Sequence, residues 1–218
     1  MNRDSVLIHP SAVVSDLAMV GAGTHIWNYS YIRGNARVGR DCLLGNDVFV
    51  DSDVVIDDRV KIQTGAHLYR GTKIDAGVTI GPGVIFASEQ GLPEGDWGKI
   101  RVCYGASIGA GAVILPNVVV GRFSVVEPGA VVTQNVPDHA LVMGSPAHVT
   151  GYVCRCGAEL REAKSGAYLC VKCGEQYRLV PDDTTPLVSL FMPRRQFRAV
   201  QQRWSSGLGN RVLSPTGD

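Results

Sequence analysis

Large apolar residues recur at every sixth position through the first part of the chain, a period that neither an α-helix nor a plain β-strand produces. The set is Ile8, Val14, Val20, Ile26, Ile32, Val38, Leu44, Val50, Ile56, Ile62, Leu68, Ile74, Ile80 and Phe86. Four residues after these positions comes a small or β-branched residue, as in Ala12, Thr24 and Val60. The positions between are rich in Gly, Asn and Asp, the residues of tight turns. The sequence therefore predicts repeated units of a short strand and a turn, wound into an all-β parallel β-helix.

The repeat is interrupted once. It stops at Phe86 and resumes in a new phase at Val102. Residues 87–101 are polar, Gly-rich and out of register, which predicts one inserted loop. Insertions in repeat proteins usually collect on a binding face, so we favour a functional loop over a tolerated surface insertion.

One outward face of the coil is predicted to be apolar. If three six-residue units complete a turn, residues eighteen apart stack at the usual strand spacing of about 4.8 Å. The residue before each repeat-opening aliphatic then faces outward. On one face these residues are Val13, Tyr31, Phe49, His67 and Ile85. An exposed apolar stripe usually marks a protein interface, so we predict a homo-oligomer that buries this face.

His67 is the polar residue of that stripe, one turn before the inserted loop. A histidine held at a dry interface beside a loop is well placed to act as a general base. The alternative is that its ring only forms a hydrogen bond across the subunit contact.

Composition excludes several classes of function. Hydrophobic residues make up 45% of the chain, charged residues 19%, and the formal net charge is +1. That balance gives no bias toward nucleic acid or a membrane surface. No apolar run is long enough to cross a bilayer, and the first residues lead into the repeat without a secretory stretch. A cytoplasmic location is the default expectation.

Four of the six cysteines form two knuckles, Cys154-Arg155-Cys156-Gly157 and Cys170-Val171-Lys172-Cys173-Gly174. Paired knuckles with glycine after the second cysteine suit tetrahedral zinc, with Cys154, Cys156, Cys170 and Cys173 as ligands. Two disulfides are the alternative, and they are disfavoured in a reducing compartment. Four thiolates leave no open coordination position, so the predicted zinc is structural.

The chain thus divides into four predicted segments. These are a β-helix domain over 1–137, a connector over 138–151, a zinc ribbon over 152–180, and a linker with a C-terminal helical tail over 181–218. The short helix is expected from Pro193, which is suited to a first helical turn, to Trp204.

The repeat units resemble those of the hexapeptide-repeat acyltransferases, most clearly at Ile80-Gly81-Pro82-Gly83-Val84 and Ile108-Gly109-Ala110-Gly111-Ala112. More narrowly, the chain is similar to the nucleotide-sugar N-acetyltransferases that acylate a 3-amino sugar. The segments that carry this similarity are Ile8-His9-Pro10-Ser11-Ala12, Ile26-Trp27-Asn28-Tyr29-Ser30, Val60-Lys61-Ile62-Gln63, Gly105-Ala106-Ser107-Ile108-Gly109-Ala110 and Val136-Pro137-Asp138-His139-Ala140-Leu141-Val142-Met143-Gly144-Ser145-Pro146-Ala147. The Cys154-Arg155-Cys156-Gly157 knuckle adds to it.

The resemblance implies a left-handed β-helix that works as a homotrimer. It also implies acetyl-CoA as cosubstrate and the amino group of a nucleotide-linked amino sugar as acceptor, both held in a groove between neighbouring subunits. Such chemistry needs little from side chains, because proximity and backbone N–H groups supply most of the rate enhancement. The family is often described as substrate-assisted, without an obligatory protein base.

Candidate site residues follow from this comparison and from residue chemistry. The catalytic candidates are His67 and Ser88. The substrate-binding candidates are Arg33, Asn46, Lys61, Gln63 and Glu89. The cofactor-binding candidates are Lys99, Gly105, Ala106, Ala110 and Arg122. The basic members suit phosphate groups and the two carboxamides suit sugar hydroxyls, although solvated charges and turn geometry explain the same residues.

Two departures from the family pattern fall at the expected site. Ala87-Ser88-Glu89 stands where the family tends to have Thr-Asn, so Ser88 takes the place of the amide near the reacting centre. Cys103-Tyr104 replaces a basic pair, and Lys99 and Arg101 are the nearest positive charges that substitute for it.

Two other functions are weighed against the transferase. A zinc lyase resembling γ-carbonic anhydrase needs three histidines on one metal, and the other histidines are far along the coil from His67. The second alternative is a non-catalytic assembly module. The altered loop and the cysteine unit with its basic tail support it.

Overall fold

The structure, a computed structural model, describes residues 5–88, 98–163 and 167–179, together with the backbone of the strand Leu187–Leu190. The chain divides into two compact units, residues 1–155 and 156–218. The described residues contain strands and turns and no helix, as the six-residue period predicts. None of their segments is a helix long and apolar enough to cross a membrane.

The first unit is built from strands of two or three residues, followed by a longer hairpin. In chain order they are β1 (Leu7–Ile8), β2 (Val13–Val14), β3 (Met19–Val20), β4 (His25–Ile26), β5 (Tyr31–Ile32), β6 (Arg37–Val38), β7 (Leu43–Leu44), β8 (Phe49–Val50), β9 (Val55–Ile56), β10 (Lys61–Ile62), β11 (His67–Leu68), β12 (Thr72–Ile74), β13 (Thr79–Ile80), β14 (Ile85–Phe86), β15 (Ile100–Val102), β16 (Ser107–Ile108), β17 (Val113–Ile114), β18 (Val119–Val120), β19 (Val125–Val126), β20 (Val131–Val132), β21 (Ala140–Gly144) and β22 (Ala147–Tyr152).

Each short strand pairs in parallel with the strand three places further along, which gives three sheets. Lys61 is in register with Leu43 on one side and Thr79 on the other, so the rungs repeat every eighteen residues. The predicted parallel β-helix is confirmed. We call the sheets that begin with β1, β2 and β3 the first, second and third faces. The first, second and third corners are the turns that follow the strands of those faces.

The core is the column of repeat-opening aliphatic residues. Leu44, Ile62 and Leu68 are at most 1% exposed, and the same holds for most of the set predicted from the six-residue period. Ile8 is the exception at 44% exposed, and Val14 and Val20 are only half-buried. The six-residue period correctly predicts that these side chains point inward. They belong to the first turn of the coil, however, and no described rung precedes that turn to cover them.

Turn chemistry explains why Asn, Asp and Gly recur in the repeat. Asn35 has a φ of 61°, Asp47 of 55° and Gly65 of 70°. These are left-handed conformations, which Gly adopts freely and Asn and Asp tolerate. Each corner therefore turns sharply at one residue and returns the chain to the next sheet.

Buried hydroxyl groups in the small inward slots donate hydrogen bonds to the backbone. The Thr24 hydroxyl donates to the carbonyl of Gly39 at 2.7 Å, and the Ser30 hydroxyl donates to that of Gly45 at 2.7 Å. Both side chains are fully buried, so these bonds remove the cost of unpaired polar groups in the core.

The insertion leaves the coil at the second corner. Strand β14 ends at Phe86, and β15 returns to the third face with Thr72 opposite Ile100. Stacking then continues, with Thr79 opposite Ser107. The loop changes the sequence spacing between rungs without changing which residue lies over which, as predicted for one inserted loop.

The end of the coil differs from the predicted connector. Strand β21 pairs in parallel with β19 and then antiparallel with β22, so this hairpin extends the first face to nine strands. Residues 140–152 are therefore part of the first sheet.

The second unit contains an antiparallel sheet of four strands: β23 (Arg161–Glu162), β24 (Ala167–Leu169), β25 (Gln176–Leu179) and β26 (Leu187–Leu190). Leu169 and Tyr177 are buried in it, and the Tyr177 hydroxyl donates to a Glu175 carboxylate oxygen at 2.7 Å. Strand β26 lies in the segment predicted as linker and tail. The helix predicted from Pro193 to Trp204 lies outside the described residues.

The corner glycines give a test of the stacked coil. A Cβ at Gly39 would meet the backbone carbon of Asp57 at 2.6 Å, whereas one at Gly34 would meet nothing closer than the Ser15 hydroxyl at 3.4 Å. We expect Gly39→Ala to lower the free energy of unfolding by about 1–3 kcal/mol, because the next rung cannot move away. Gly34→Ala, the matched control, should change it by less than about 0.5 kcal/mol. Urea titrations measure both, and equal midpoints would contradict the stacked geometry.

Candidate functional site

The second face carries an aromatic ladder, which we define as Tyr31, Phe49, His67 and Tyr69. The ring centroids of Tyr31 and Phe49 are 6.2 Å apart and nearly parallel, and those of Phe49 and His67 are 6.0 Å apart. Tyr69 closes the group from the second corner, at 5.4 Å from Phe49 and 6.2 Å from His67. The His67 ring is therefore held between two aromatic rings, those of Phe49 and Tyr69, rather than standing alone.

The ladder is continuous with exposed apolar residues. Val13 is 55% exposed and Ile85 is 39% exposed, while Phe49 and His67 are half-buried. Register pairs these residues along one sheet, so the predicted apolar stripe on one face is confirmed. Within this chain the described residues leave the stripe open, which is typical of a surface that another protein chain covers.

His67 and Ser88 lie on the same side of the coil. His67 is directly in register with Ile85, and Ser88 follows that strand at the second corner, where it is half-buried. The two catalytic candidates are thus on neighbouring rungs at the root of the inserted loop. Glu89, the next residue, lies outside the described residues.

The second corner also carries two ion pairs. Arg33 contacts Asp51 at 3.1 Å, and Arg70 contacts Asp53 at 3.3 Å. The Arg33 side chain is 51% exposed, so its pair with Asp51 contributes at most about 1 kcal/mol. An incoming phosphate can therefore compete for this guanidinium at small cost.

A shallow cavity of about 350 Å³ lies at the first corner. Its lining consists of Trp27, Leu43, Gly45, Asn46, Ile62, Gln63 and Thr64. Two of the substrate-binding candidates, Asn46 and Gln63, are therefore brought together. A third, Lys61, is in register with Leu43 at the edge of the same cavity.

The third corner carries another stack of rings. Tyr104 and Phe123 are 5.5 Å apart edge to face, and Phe123 and His139 are 5.2 Å apart and stacked. A Cβ at Gly105 would meet the Phe123 ring at 2.8 Å, so Gly105 is required by this column. The Nδ1 atom of His139 lies 2.9 Å from the carbonyl oxygen of Val153, which fixes the top ring.

Charge and burial tune the side chains near Tyr104. The Arg101 guanidinium donates a hydrogen bond to the Asp75 carboxylate at 2.9 Å, which raises the pKa of Arg101 and keeps it charged. Burial raises the pKa of the Cys103 thiol, with the Arg101 charge opposing it. Cys103 is therefore a thiol rather than a thiolate at neutral pH.

The cofactor-binding candidates are not gathered in one place within the chain. Lys99 lies at the second corner, Gly105, Ala106 and Arg122 lie at the third, and Ala110 lies at the first. Ala106 is fully buried, and its backbone N–H donates to Cys103 while its carbonyl accepts from Thr79, so it is covered within the coil. The backbone N–H of Arg122 donates to Asp138, while its side chain is exposed.

Sequence analysis missed two groups of residues. Tyr69 completes the ladder, and the rings of Tyr104, Phe123 and His139 form the column. The ladder residues Tyr31, Phe49 and His67 could be found because eighteen-residue spacing aligns them. Corner residues project in directions set by local turn geometry, as in Phe123 with its φ of 54°, so spacing alone does not align their rings.

The four terminal cysteines form one cluster, with all four Sγ atoms within 4.8 Å of one another. None of the four forms a disulfide, so neither bridge of the alternative interpretation is present. Burial acts to raise the pKa of Cys170, but N–H donors from Cys173 and Lys172 outweigh it and lower that pKa to about 7. The donor set therefore fits a tetrahedral thiolate-binding metal such as zinc.

Comparison with known proteins places this geometry in a class. No family model matches the chain. Among solved structures, a mutant of AntD, an N-acyltransferase from Bacillus cereus, aligns with a TM-score of 0.52 and 18% identity over 69% of this chain and 84% of that one. The acetyltransferase domain of PglB from Neisseria gonorrhoeae is 28% identical, with a TM-score of 0.47, over 67% and 58%. The first of these shows the fold, a parallel β-helix shared with acyltransferases.

A curated relative makes the assignment narrower. The dTDP-3-amino-3,6-dideoxy-alpha-D-galactopyranose 3-N-acetyltransferase of Aneurinibacillus thermoaerophilus is 45% identical over 192 residues, which cover 86% of this chain and 98% of that protein. The chain belongs to the hexapeptide-repeat family of nucleotide-sugar N-acetyltransferases. It is an N-acyltransferase, as the resemblance predicts, and not a zinc lyase or a non-catalytic assembly module.

Proposed function

We propose that the protein transfers an acetyl group from acetyl-CoA to the 3-amino group of a dTDP-linked 3-amino-3,6-dideoxyhexose. The observation that carries this proposal is the 45% identity to the Aneurinibacillus enzyme across 98% of its length. Acetyl-CoA is the donor that the hexapeptide-repeat resemblance implies.

In this reaction the unprotonated amine nitrogen attacks the thioester carbonyl carbon. The carbon–sulfur bond then breaks, an amide forms, and the amine proton leaves while the sulfur departs as the CoA thiol. Holding the two reactants in contact supplies most of the acceleration, and backbone N–H groups stabilise the oxyanion. His67 is our candidate to accept the amine proton, and Ser88 is our candidate to hydrogen-bond the reacting groups.

A site between subunits is supported by the distribution of the candidates. Lys99, Ala110 and Arg122 lie at three different corners of one chain, so a single copy does not collect them around one CoA. We propose a left-handed homotrimer in which the aromatic ladder and its apolar neighbours are covered by the next copy. CoA would then contact Lys99, Gly105, Ala110 and Arg122 drawn from adjacent subunits, with the buried Ala106 supporting Gly105 from within the coil.

The acceptor would lie along the N-terminal half of the coil. Arg33 and Lys61 supply positive charge for the diphosphate, and Asn46 and Gln63 supply carboxamides for polar groups. Glu89 is retained as a candidate for the sugar, from the sequence alone.

The function is tested by mixing the purified chain with acetyl-CoA and dTDP-3-amino-3,6-dideoxygalactose. We expect release of free CoA thiol and a product heavier than the acceptor by one acetyl group, measured by mass spectrometry. The same sugar lacking the 3-amino group is the control and should give neither signal. Absence of product with the amino sugar would contradict the proposal.

A substitution tests the proton acceptor. We expect His67→Asn to lower kcat at least about tenfold with little change in the KM for acetyl-CoA, because the asparagine side chain cannot accept the proton. His148→Asn is the matched control, since His148 is exposed on β22. Steady-state kinetics measure both variants. An unchanged kcat in His67→Asn would leave the substrate-assisted mechanism in place and remove His67 from it.

We also propose that Cys154, Cys156, Cys170 and Cys173 bind a structural zinc ion, within a zinc ribbon over 152–180. Support comes from the donor set, four thiols within 4.8 Å of one another. Four protein ligands satisfy a tetrahedral zinc without an open position, so the ion would stabilise this segment and take no part in transfer.

Metal analysis tests the zinc proposal. We expect about one zinc per wild-type chain, and loss of most of that zinc in Cys173→Ser, because three thiolates bind it less tightly. Cys103→Ser is the control, since Cys103 lies outside the cluster, and it should keep its metal. Plasma mass spectrometry of protein purified without added metal gives the ratio. Equal zinc content in the two variants would contradict the assignment.

We propose a cytoplasmic location and the order of segments given by the sequence, coil, connector, ribbon and tail, with the hairpin of the connector extending the first sheet and β26 extending the sheet of the second unit. The free thiols of Cys42 and Cys103 are consistent with a reducing compartment.

A further inference from the structure

The cavity at the first corner has features of a binding site for a flat heterocycle. Trp27 is 41% exposed and lines it from the rung that carries β4. Asn46 and Gln63 line it from the two following rungs, each with an exposed side chain. An exposed indole beside two carboxamides offers a stacking surface together with hydrogen-bond donors and acceptors.

The side-chain amides of Asn46 and Gln63 are available for hydrogen bonding to a ligand. The backbone carbonyl of Asn46 accepts a bond from Gly65, but the side chains of Asn46 and Gln63 have no hydrogen bond within the described part of the chain. Their backbone is fixed by the coil, because the Gly65 N–H donates to the Asn46 carbonyl at 2.9 Å and the Gln63 N–H donates to Ile80 at 2.9 Å. The two amides are thus held one rung apart and open to a ligand.

Charge continues from the cavity along the first face. Lys61 is exposed and lies in register with Leu43, a lining residue, so it carries a positive charge on the rung next to one side of the cavity. The cavity volume of about 350 Å³ lies at the lower end of the range for small-molecule sites. A flat ring in the cavity with an attached phosphate toward Lys61 satisfies both features.

We propose that this cavity is the nucleobase subsite of the acceptor, with Trp27 as the stacking platform for a thymine or uracil ring. The imide edge of such a base presents an N–H donor between two carbonyl acceptors, which complements a carboxamide from Asn46 or Gln63. Lys61 then meets the diphosphate. This inference rests on the proposed nucleotide-sugar acceptor, and it makes Trp27 a specificity-determining residue.

Binding of dTDP to the full-length protein tests the subsite. We expect Trp27→Ala to raise the Kd for dTDP about 5- to 100-fold, since loss of the stacking between a base and an aromatic side chain weakens binding by about this factor. Trp27→Phe keeps a stacking ring and should raise it at most about threefold. Met19→Ala is the matched control, because Met19 is similarly exposed on the third face, and its Kd should equal that of wild type. Isothermal titration calorimetry measures all four proteins.

Kinetics separate the base subsite from the reaction itself. With a dTDP-linked amino sugar, Trp27→Ala should lower kcat/KM by the same factor as the binding loss. With the corresponding 3-amino sugar 1-phosphate, which has no base, Trp27→Ala and wild type should have equal kcat/KM. A larger loss on the base-free acceptor than on the full acceptor would overturn the inference.

A fluorescence measurement does not depend on the alanine variant folding. In a Trp97→Phe, Trp204→Phe protein, Trp27 is the remaining tryptophan of the three in the chain. We expect dTDP to quench its emission with the Kd found by calorimetry, because the base stacks on the indole. Binding of dTDP without any change in emission would overturn the assignment.

The remaining outcomes distinguish this inference from the proposed function. If wild type acetylates the nucleotide sugar and Trp27→Ala binds dTDP equally well, the subsite is wrong and the function stands. If wild type neither binds dTDP nor acetylates the sugar, the function fails and the subsite fails with it. If Trp27→Ala changes the oligomeric state by size-exclusion chromatography, Trp27 is a subunit contact, and the subsite is overturned.

Discussion

The backbone hydrogen bonds between successive rungs determine the rest of the structure. The N–H of Lys61 donates to Val78 at 3.0 Å and that of Gln63 to Ile80 at 2.9 Å, and the same pattern repeats along the coil. Because this register is fixed, every side chain points either into the core or out of one face. A shift of one residue would turn the buried aliphatics outward and bring the polar residues into the core. The aromatic ladder, the buried core and the open cavity are all consequences of that single register.

The same constraint explains how a loop is inserted without disturbing the coil. Ile74 is in register with Val102 across the insertion, and the preceding and following rungs keep their partners. The rung hydrogen bonds are kept on both sides of the insertion, because the N–H of Ala87 donates to Ile114 at 2.9 Å and that of Ile100 donates to Gly71 at 3.2 Å. The strand that precedes the loop lies beside His67, because Ile85 is in register with it. The loop therefore begins next to the second face, whose outward residues are mostly apolar. Position in the coil, rather than loop sequence, brings Ser88 close to that face.

Much of the fold was predictable from the sequence, and less of the site was. The inward residues from Ile26 to Phe86 follow from one period, because burial and strand geometry impose it on every rung. Tyr69 and the ring column at Phe123 were not found, since corner side chains point in directions set by individual φ angles. The candidates Lys99, Ala110 and Arg122 have the chemistry for CoA, but they lie at three corners of one chain. The six-residue period aligns residues within one chain only, so it does not show which surfaces of two copies would meet in the proposed trimer.

The faces and the corners of this coil present surfaces of different shape. A face is a flat sheet of short strands, which suits burial against another subunit, and the second face offers aromatic and aliphatic side chains for that purpose. A corner projects side chains outward from three successive rungs, as Trp27, Asn46 and Gln63 show, and this makes a concave surface within one chain. The corner cavity is formed within one chain, whereas in the proposed trimer the chemistry at the second face requires two copies. The proposed nucleotide subsite and the proposed transfer site thus belong to different elements of the coil, so substitutions at one are expected to leave the other in place.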